Sequence, residues 1–380
     1  MKTPHSVLEG LAHDQGLILV GITTTNPPSG FDNYLRWLGH GFHADMLYLG
    51  REDAIRKRSQ PSLLFPDCRS ILCIGAAYPF PNHDPRAWNA GSGKVATYAW
   101  GRDYHDVFPE VLNNFMLSLM NELHASISYK IFSDSAPILE KSLAQQAGLG
   151  WIGKNSCLIH PAHGSTFLLA EIFTDIPLNA TDPIQDEFCG SCERCIHACP
   201  TNCILPDRSL DARKCISYLT IEHRGRIPRE YRSKIGNWVF GCDICQQVCP
   251  WNQRFANHEG SSIFLPYDLP EISNLAALFS ISPNEFKTQF AHSPILRSRR
   301  SGILRNAAIV LGNQKSFESV KILGNVLLNE ADPLIREHAA WALTQIGGQS
   351  ALRMLNVARQ SEIDPAVLSE MQYGLDHWDM

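Results

Sequence analysis

Eight of the twelve cysteines stand at spacings suited to metal clusters. The first run is Cys189, Cys192, Cys195, Cys199 and Pro200, a C-x2-C-x2-C-x3-C-P pattern. A second run, Cys242, Cys245, Cys249 and Pro250, keeps the C-x2-C-x3-C-P end but lacks the opening cysteine, for which Cys215 in RKCISYL is the candidate replacement. Two intervening residues let a tight loop aim successive thiolates at neighbouring irons, and the last cysteine of such a run ligates the other cluster. The proline then starts the next turn without needing an amide partner. Crossing the runs in this way assigns Cys189, Cys192, Cys195 and Cys249 to one 4Fe-4S cluster and Cys199, Cys215, Cys242 and Cys245 to the other. Zinc also uses paired C-x2-C knuckles, but a complete run followed by a second partial one is hard to explain as zinc. Cys68, Cys73 and Cys157 lie in apolar surroundings and read as small core residues, and Cys203 reads as a bystander thiol. Two adjacent clusters move single electrons, so the acceptor must be sought elsewhere in the chain or in a partner.

The elements that must position such clusters can be read around them. At 380 residues the chain exceeds what one core usually organises. Residues 1–180 are expected to form an α/β domain. Leu17 to Thr23, Ser70 to Ala77, Ile127 to Phe132 and Ser165 to Phe173 read as buried strands, and Asp106 to Leu123 repeats apolar residues at helical spacing. Thr174 to Phe188, rich in proline and aspartate, reads as a linker. Residues 181–262 form a ferredoxin-like two-cluster domain. Over residues 263–380 the pattern is helical with an internal echo: LRNAAIVLG at Leu304 is matched by IREHAAWAL at Ile335, and DPLIREHAAWAL at Asp332 is loosely matched by DPAVLSEMQYGL at Asp364. A period of about thirty residues resembles HEAT-type repeats.

Composition is globular, with 44% hydrophobic and 19% charged residues and a net charge of -5, which argues against a surface coated for nucleic acid but not against a local basic patch. The N-terminus has no apolar run behind its single lysine, and the stretch from Ile71 to Phe80 is too short to span a bilayer. No export or membrane anchoring is expected, and a reducing cytoplasm suits the cysteine usage.

The segments WGRDYHDV at Trp100, Asp134 to Leu178 (DSAPILEKSLAQQAGLGWIGKN and onward), CGSCERCIHACPT, KCISYLTIEHRG and KIGNWVFGCDICQQVCPWN resemble those of epoxyqueuosine reductases. The resemblance covers about residues 50 to 255, in matching order. It implies cobalamin beside the two 4Fe-4S clusters, kinship with reductive dehalogenases, and reduction of epoxyqueuosine to queuosine at the tRNA wobble position. It implies that the aspartate of D-S-A-P, here Asp134, protonates the departing oxygen, since an unprotonated alkoxide leaves poorly. Capping of a helix opened by Pro137 is the bland alternative for Asp134. An acid in this role is expected to be buried beside the corrin. Positions beside the matched motifs, Arg58, Ala96, Leu158, Leu169, Ser217, Cys242 and Asp243, with Asp134, are the candidates for holding cobalamin. The D-x-H-x-x-G signature that supplies a histidine to cobalt is absent.

Two basic stretches remain. Arg297, Arg299, Arg300 and Arg305 lie in a run from Lys287 to Lys315 without acidic residues, and HRGRIPREYRSK supplies Arg224 and Arg232 among others. Each alone would be a solvated face; together they predict a channel for a tRNA backbone. The resemblance further implies an external electron donor such as a flavodoxin or a ferredoxin, and a monomer is expected. A corrinoid enzyme acting on a small halogenated or epoxide molecule, and a non-catalytic electron-transfer protein, are the competing readings.

Overall fold

The computed structural model describes residues 5–80, 91–264 and 270–378. Its strands are, in chain order, β1 (Leu19–Thr23), β2 (Ser70–Ala77), β3 (Lys94–Val95), β4 (Tyr129–Phe132), β5 (Trp151–Ile152), β6 (Leu158–Ile159), β7 (Phe167–Thr174) and β8 (Trp238–Phe240). The chain divides into two compact units, one made of residues 1–83, 101–213 and 243–267, the other of residues 84–100, 214–242 and 268–380.

In the first unit the four expected strands form one sheet in the order β1-β2-β7-β4. Every pairing is antiparallel, with Leu19 opposite Gly75, Ser70 opposite Thr174, and Phe132 opposite Glu171. The domain therefore mixes helices and strands without the parallel crossovers that an α/β class implies, because each neighbouring strand enters the sheet from the opposite end. One face of β7 presents Phe167, Leu169, Glu171 and Phe173, following the two-residue period of a strand. Against this face packs the helix Glu140–Gln146, whose Leu143 and Ala144 join Ile71, Cys73, Phe167 and Phe173 in a single apolar cluster. The stretch after β7 has no regular structure but is pinned: the Thr181 hydroxyl accepts from the N–H of Ile22 at 2.8 Å and reaches the Ala147 carbonyl at 2.7 Å.

In the second unit five helices follow the expected echo: Arg299–Asn313, Val320–Asn329, Pro333–Ile346, Gly348–Arg359 and Pro365–Asp376. The first, third and fifth pack on one another, as do the second and fourth, giving two layers. Small residues permit the approach: a Cβ added at Gly312 would lie 2.9 Å from the Cα of Ala342. Asp332 and Asp364 cap the third and fifth helices, accepting from Leu334 and Ala366 ahead of an N-terminal proline. The repeats are locked to residues 214–242 by buried polar groups. Arg232 reaches Glu337 at 3.0 Å and Glu370 at 3.1 Å, and the Ile227 N–H donates to Nε2 of His338. Burial, reinforced by Arg232, holds His338 well below its ordinary pKa, so the ring is neutral. Among the described residues no helix is long and apolar enough to cross a membrane.

Candidate active site, cluster cavity and basic groove

Strand β4 ends at Phe132 and the chain turns sharply, with Asp134 in the left-handed region at φ 52°. A short polar side chain tolerates this conformation better than a branched one. Three contacts hold the turn. Ser133 donates its hydroxyl to the Leu169 carbonyl of β7 at 3.0 Å, and the N–H of Asp134 donates to Oε1 of Glu140. Tyr104, the first residue of the helix Tyr104–Leu123, donates its hydroxyl to Oδ2 of Asp134 at 2.7 Å. The following helix begins at Glu140 with Leu139 in the cap position, so Asp134 does not cap it.

Asp134 is exposed, in correction of the expectation that it is buried, because its sharp turn at the end of β4 carries it to the surface, where it borders a cavity of about 520 Å³ that is also lined by Tyr34, Trp37, Tyr48, Arg58 and Glu140. Arg58 is 7% exposed, its guanidinium 5.4 Å from the centroid of the Tyr34 ring. Burial, followed by the nearby charge of Asp134, pushes the Glu140 carboxyl up to about 7. The arrangement is a fixed carboxylic acid at the mouth of an aromatic pocket with one buried cation. Of the other positions expected to hold a cofactor in this unit, Leu158 belongs to the apolar cluster beneath the loop and Leu169 packs against it. Asp243 is buried at the start of the helix Ile244–Gln247. Ala96, Ser217 and Cys242 belong to the second unit.

Four cysteines from the two runs, Cys189, Cys192, Cys195 and Cys249, line one cavity of about 230 Å³ within the first unit. Gly190, at φ 51°, makes the turn between the first two. Cys249 precedes Pro250, which opens the helix Pro250–Phe255, so the proline ends one element and starts the next. The helices Arg194–Ala198 and Ile244–Gln247, each from one cysteine run, pack together and bring Cys249 to the first three thiols. Soft thiol donors around one small cavity fit a 4Fe-4S cluster. Of the other four cysteines, Cys199 and Cys245 lie in the first unit and Cys215 and Cys242 in the second. Cys203 is buried with its sulfur 3.4 Å from that of Cys199.

The cavity has an aromatic wall that cysteine spacing did not reveal. Trp151 meets Phe188 and Trp251 edge-on, with ring centroids 4.9 and 5.0 Å apart. Such a wall excludes water and lowers the local dielectric, which tunes a cluster's potential. Replacing Cys249 with Ser is expected to cost the protein about half its bound iron, measured by iron assay and electron paramagnetic resonance. Tyr104, Glu140 and Glu171 were also missed. A glutamate inside the apolar strand LLAEIFT was the only local signal among them.

The basic stretches divide by burial. Arg224, Arg226 and Arg299 are exposed and share a groove of about 480 Å³ in the second unit, bordered by the capped starts of the helices Pro333–Ile346 and Pro365–Asp376. Arg300 is tied to Glu330 at 2.8 Å and to the Ile281 carbonyl, and the carbonyl of Arg297 accepts from Arg224. Arg232 and Arg305 are not on this surface, in correction of the expectation that they face a nucleic acid. Arg232 is 1% exposed between two glutamates, and Arg305 is 0% exposed with its guanidinium given to the carbonyls of Leu219, His223 and Gly225.

Three family models match the chain: a 4Fe-4S double cluster binding domain over residues 188–252, epoxyqueuosine reductase QueG over residues 58–135, and HEAT repeats over residues 293–375. The chain is 40% identical over 344 residues to an epoxyqueuosine reductase of Xanthomonas campestris, a match covering 89% of this chain and 94% of that one. It is similar to the crystal structure of an epoxyqueuosine reductase with an epoxyqueuosine-modified tRNA-Tyr stem loop, at 32% identity, 99% coverage of both chains and a TM-score of 0.89. It is similar also to an epoxyqueuosine reductase from Bacillus subtilis whose catalytic aspartate loop is swung out of the active site, at 32% identity, 98% coverage of both and a TM-score of 0.87.

Proposed function

Because the chain belongs to the epoxyqueuosine reductase family, we propose that it removes the epoxide oxygen of epoxyqueuosine at the wobble position of tRNA and leaves queuosine. It is an oxidoreductase with a 4Fe-4S double cluster binding domain. The observation that carries the reading is Asp134, locked by Tyr104 and Glu140 at the mouth of an aromatic pocket, in the unit that also gathers four thiols. Converting an epoxide to an alkene takes two electrons and two protons and releases the oxygen as water. When bound, the two clusters supply electrons singly and cobalamin supplies a reduced cobalt able to engage the ring.

The residues of the chain do the rest. Tyr104 occupies Oδ2 of Asp134, which leaves Oδ1 to carry the proton delivered to the departing oxygen. Arg58, buried in the same pocket, offsets the negative charge that remains on Asp134. Tyr34, Trp37 and Tyr48 give the pocket flat aromatic surfaces that would suit a corrin. Arg58, Asp134, Leu158, Leu169 and Asp243, with Ala96, Ser217 and Cys242 of the second unit, are the proposed contacts to cobalamin. Cys189, Cys192, Cys195 and Cys249 would hold one cluster, and Cys199, Cys215, Cys242 and Cys245 the other. In functional terms the chain is a catalytic part over residues 1–180, an electron-delivering part over 181–262 and a tRNA-binding part over 263–380, served by an external one-electron donor.

Arg224 and Arg299, with Arg297 and Arg300 nearby, are the proposed phosphate contacts, and the exposed Arg226 joins them. Unpaired loop bases can be splayed out and read in a pocket, which suits chemistry at a wobble nucleotide. Replacing Arg299 with Glu is expected to weaken tRNA binding most at low salt and to reduce the salt slope of affinity by about one, measured by titration across ionic strengths. The assay for the reading as a whole is nucleoside mass spectrometry of epoxyqueuosine-containing tRNA incubated with the reduced holoenzyme. Queuosine must appear; its absence, with both clusters and cobalamin bound, would refute the reading.

A further inference from the structure

Each epoxide oxygen leaves as water with two protons, and Asp134 carries one. Beneath its loop stand two further carboxyls, Glu140 half-buried at the cavity and Glu171 fully buried. Glu171 lies mid-strand in β7, opposite Cys73 of β2 and Phe132 of β4, on the face covered by the helix Glu140–Gln146. It is 0% exposed, and among the described residues no N–H or hydroxyl donor reaches either of its carboxylate oxygens. The carboxyl of Glu140, on the helix packed over this face, lies close enough to raise the Glu171 carboxyl further. An ionised carboxylate buried without a donor is far costlier than the neutral acid, so a proton is held in this pair of carboxyls. Glu140 in turn accepts the N–H of Asp134 and lines the same pocket as the Asp134 carboxyl. The pair is thus joined to the acid loop on one side and closed off by the sheet on the other.

We propose that Glu140 and Glu171 share one proton and serve as the proton reserve that recharges Asp134 within a turnover. This rests on Asp134 being the acid of the reaction proposed above. Asp134 gives its proton as the carbon–oxygen bond of the ring opens. The shared proton then crosses the pocket to Asp134, which delivers it as the second carbon–oxygen bond breaks and water leaves, the two electrons having come through the clusters. Two solvent protons then complete the cycle, one returning to Asp134 and one to the pair through Glu140, both of which border the cavity. The charged and titratable groups facing the pair are Asp134 at the end of β4, Arg58 from the helix Glu52–Ser59, Lys141 on the helix of Glu140, and Cys73 on β2. Arg58 and Lys141 offset the second negative charge while the pair is empty; burial keeps Cys73 a neutral thiol. Glu140 and Glu171 act through Asp134 and need not touch the substrate.

The test is infrared difference spectroscopy of the holoenzyme between acid and alkaline pH, together with the pH profile of turnover. The wild type is expected to show the C=O band of a protonated, deuterium-sensitive carboxyl that persists at neutral pH, well above where exposed carboxyls ionise. Asp134→Asn should keep this band, and both Glu171→Gln and Glu140→Gln should lose it. Multiple turnover in the two glutamine variants should fall at least about tenfold. The decline in wild-type rate as the pair empties on the alkaline side should be missing from their profiles. A wild type without the band near neutral pH, or glutamine variants with unchanged rate and profile, overturns the reserve. An active Asp134→Asn enzyme instead overturns the acid assignment on which the reserve depends.

Discussion

Asp134→Asn is expected to leave the fold and both clusters in place while lowering conversion of epoxyqueuosine tRNA by about a hundred- to ten-thousandfold, the range that general acid catalysis contributes. The substitution is nearly isosteric, and asparagine tolerates the left-handed backbone at φ 52°. The N–H at this position still donates to Glu140, and the Tyr104 hydroxyl can still donate to the amide oxygen. What is lost is the dissociable proton of the carboxyl that borders the pocket. Nucleoside analysis of the product, with iron content and cobalamin absorbance as controls, measures the effect. Ordinary turnover in a variant with full cofactor content would mean that the proton comes from another group. Tyr104 would then be the first to replace, because its hydroxyl lies 2.7 Å from Oδ2.

Arg305→Ala is expected to destabilise the second unit by about 3–5 kcal/mol, because several buried carbonyls lose their donor at about 1–3 kcal/mol each and a cavity is left. Arg305 is the hub of its surroundings. Its guanidinium donates to the carbonyls of Leu219 at 2.6 Å, His223 at 2.8 Å and Gly225 at 2.7 Å, and to the side chain of Asn306. Asn306 in turn donates to the carbonyls of Thr220 and Val239. These bonds seal the loop after the helix Ile216–Ile221 against the first repeat helix. Alanine would strand buried carbonyls without donors and open a cavity. Lysine would not rescue the site, since a single ammonium cannot span the fork that a guanidinium fills. Denaturant unfolding followed by circular dichroism measures the loss. A variant with unchanged stability and weakened tRNA binding would return Arg305 to the phosphate-facing set.

The pattern of Arg305 and Arg299 shows where sequence reading stops. Both belong to one run of basic residues, six positions apart, yet one is sealed inside the unit and the other is exposed in a groove. Charge counts along a chain do not say which face of a helix meets a neighbour; the repeat packing decides it. The carboxyls follow the same rule. Asp134 was legible because it stands in a long matched motif. Glu140 and Glu171 became a pair only when the helix Glu140–Gln146 lay down on β7, which no local period can encode.

What the sequence determined by itself was local: loop geometry between cysteines, strands and helices of recognisable period, and repeats of about thirty residues. These depend on short-range sterics and on the alternation of apolar residues, both written in neighbouring positions. The tertiary structure alone decided the antiparallel order β1-β2-β7-β4 and the burial of Arg232, Arg305 and Glu171. Each of these depends on which distant surfaces exclude water together, and burial fixes whether a charged side chain faces solvent, bonds a backbone carbonyl, or shares a proton with its neighbour.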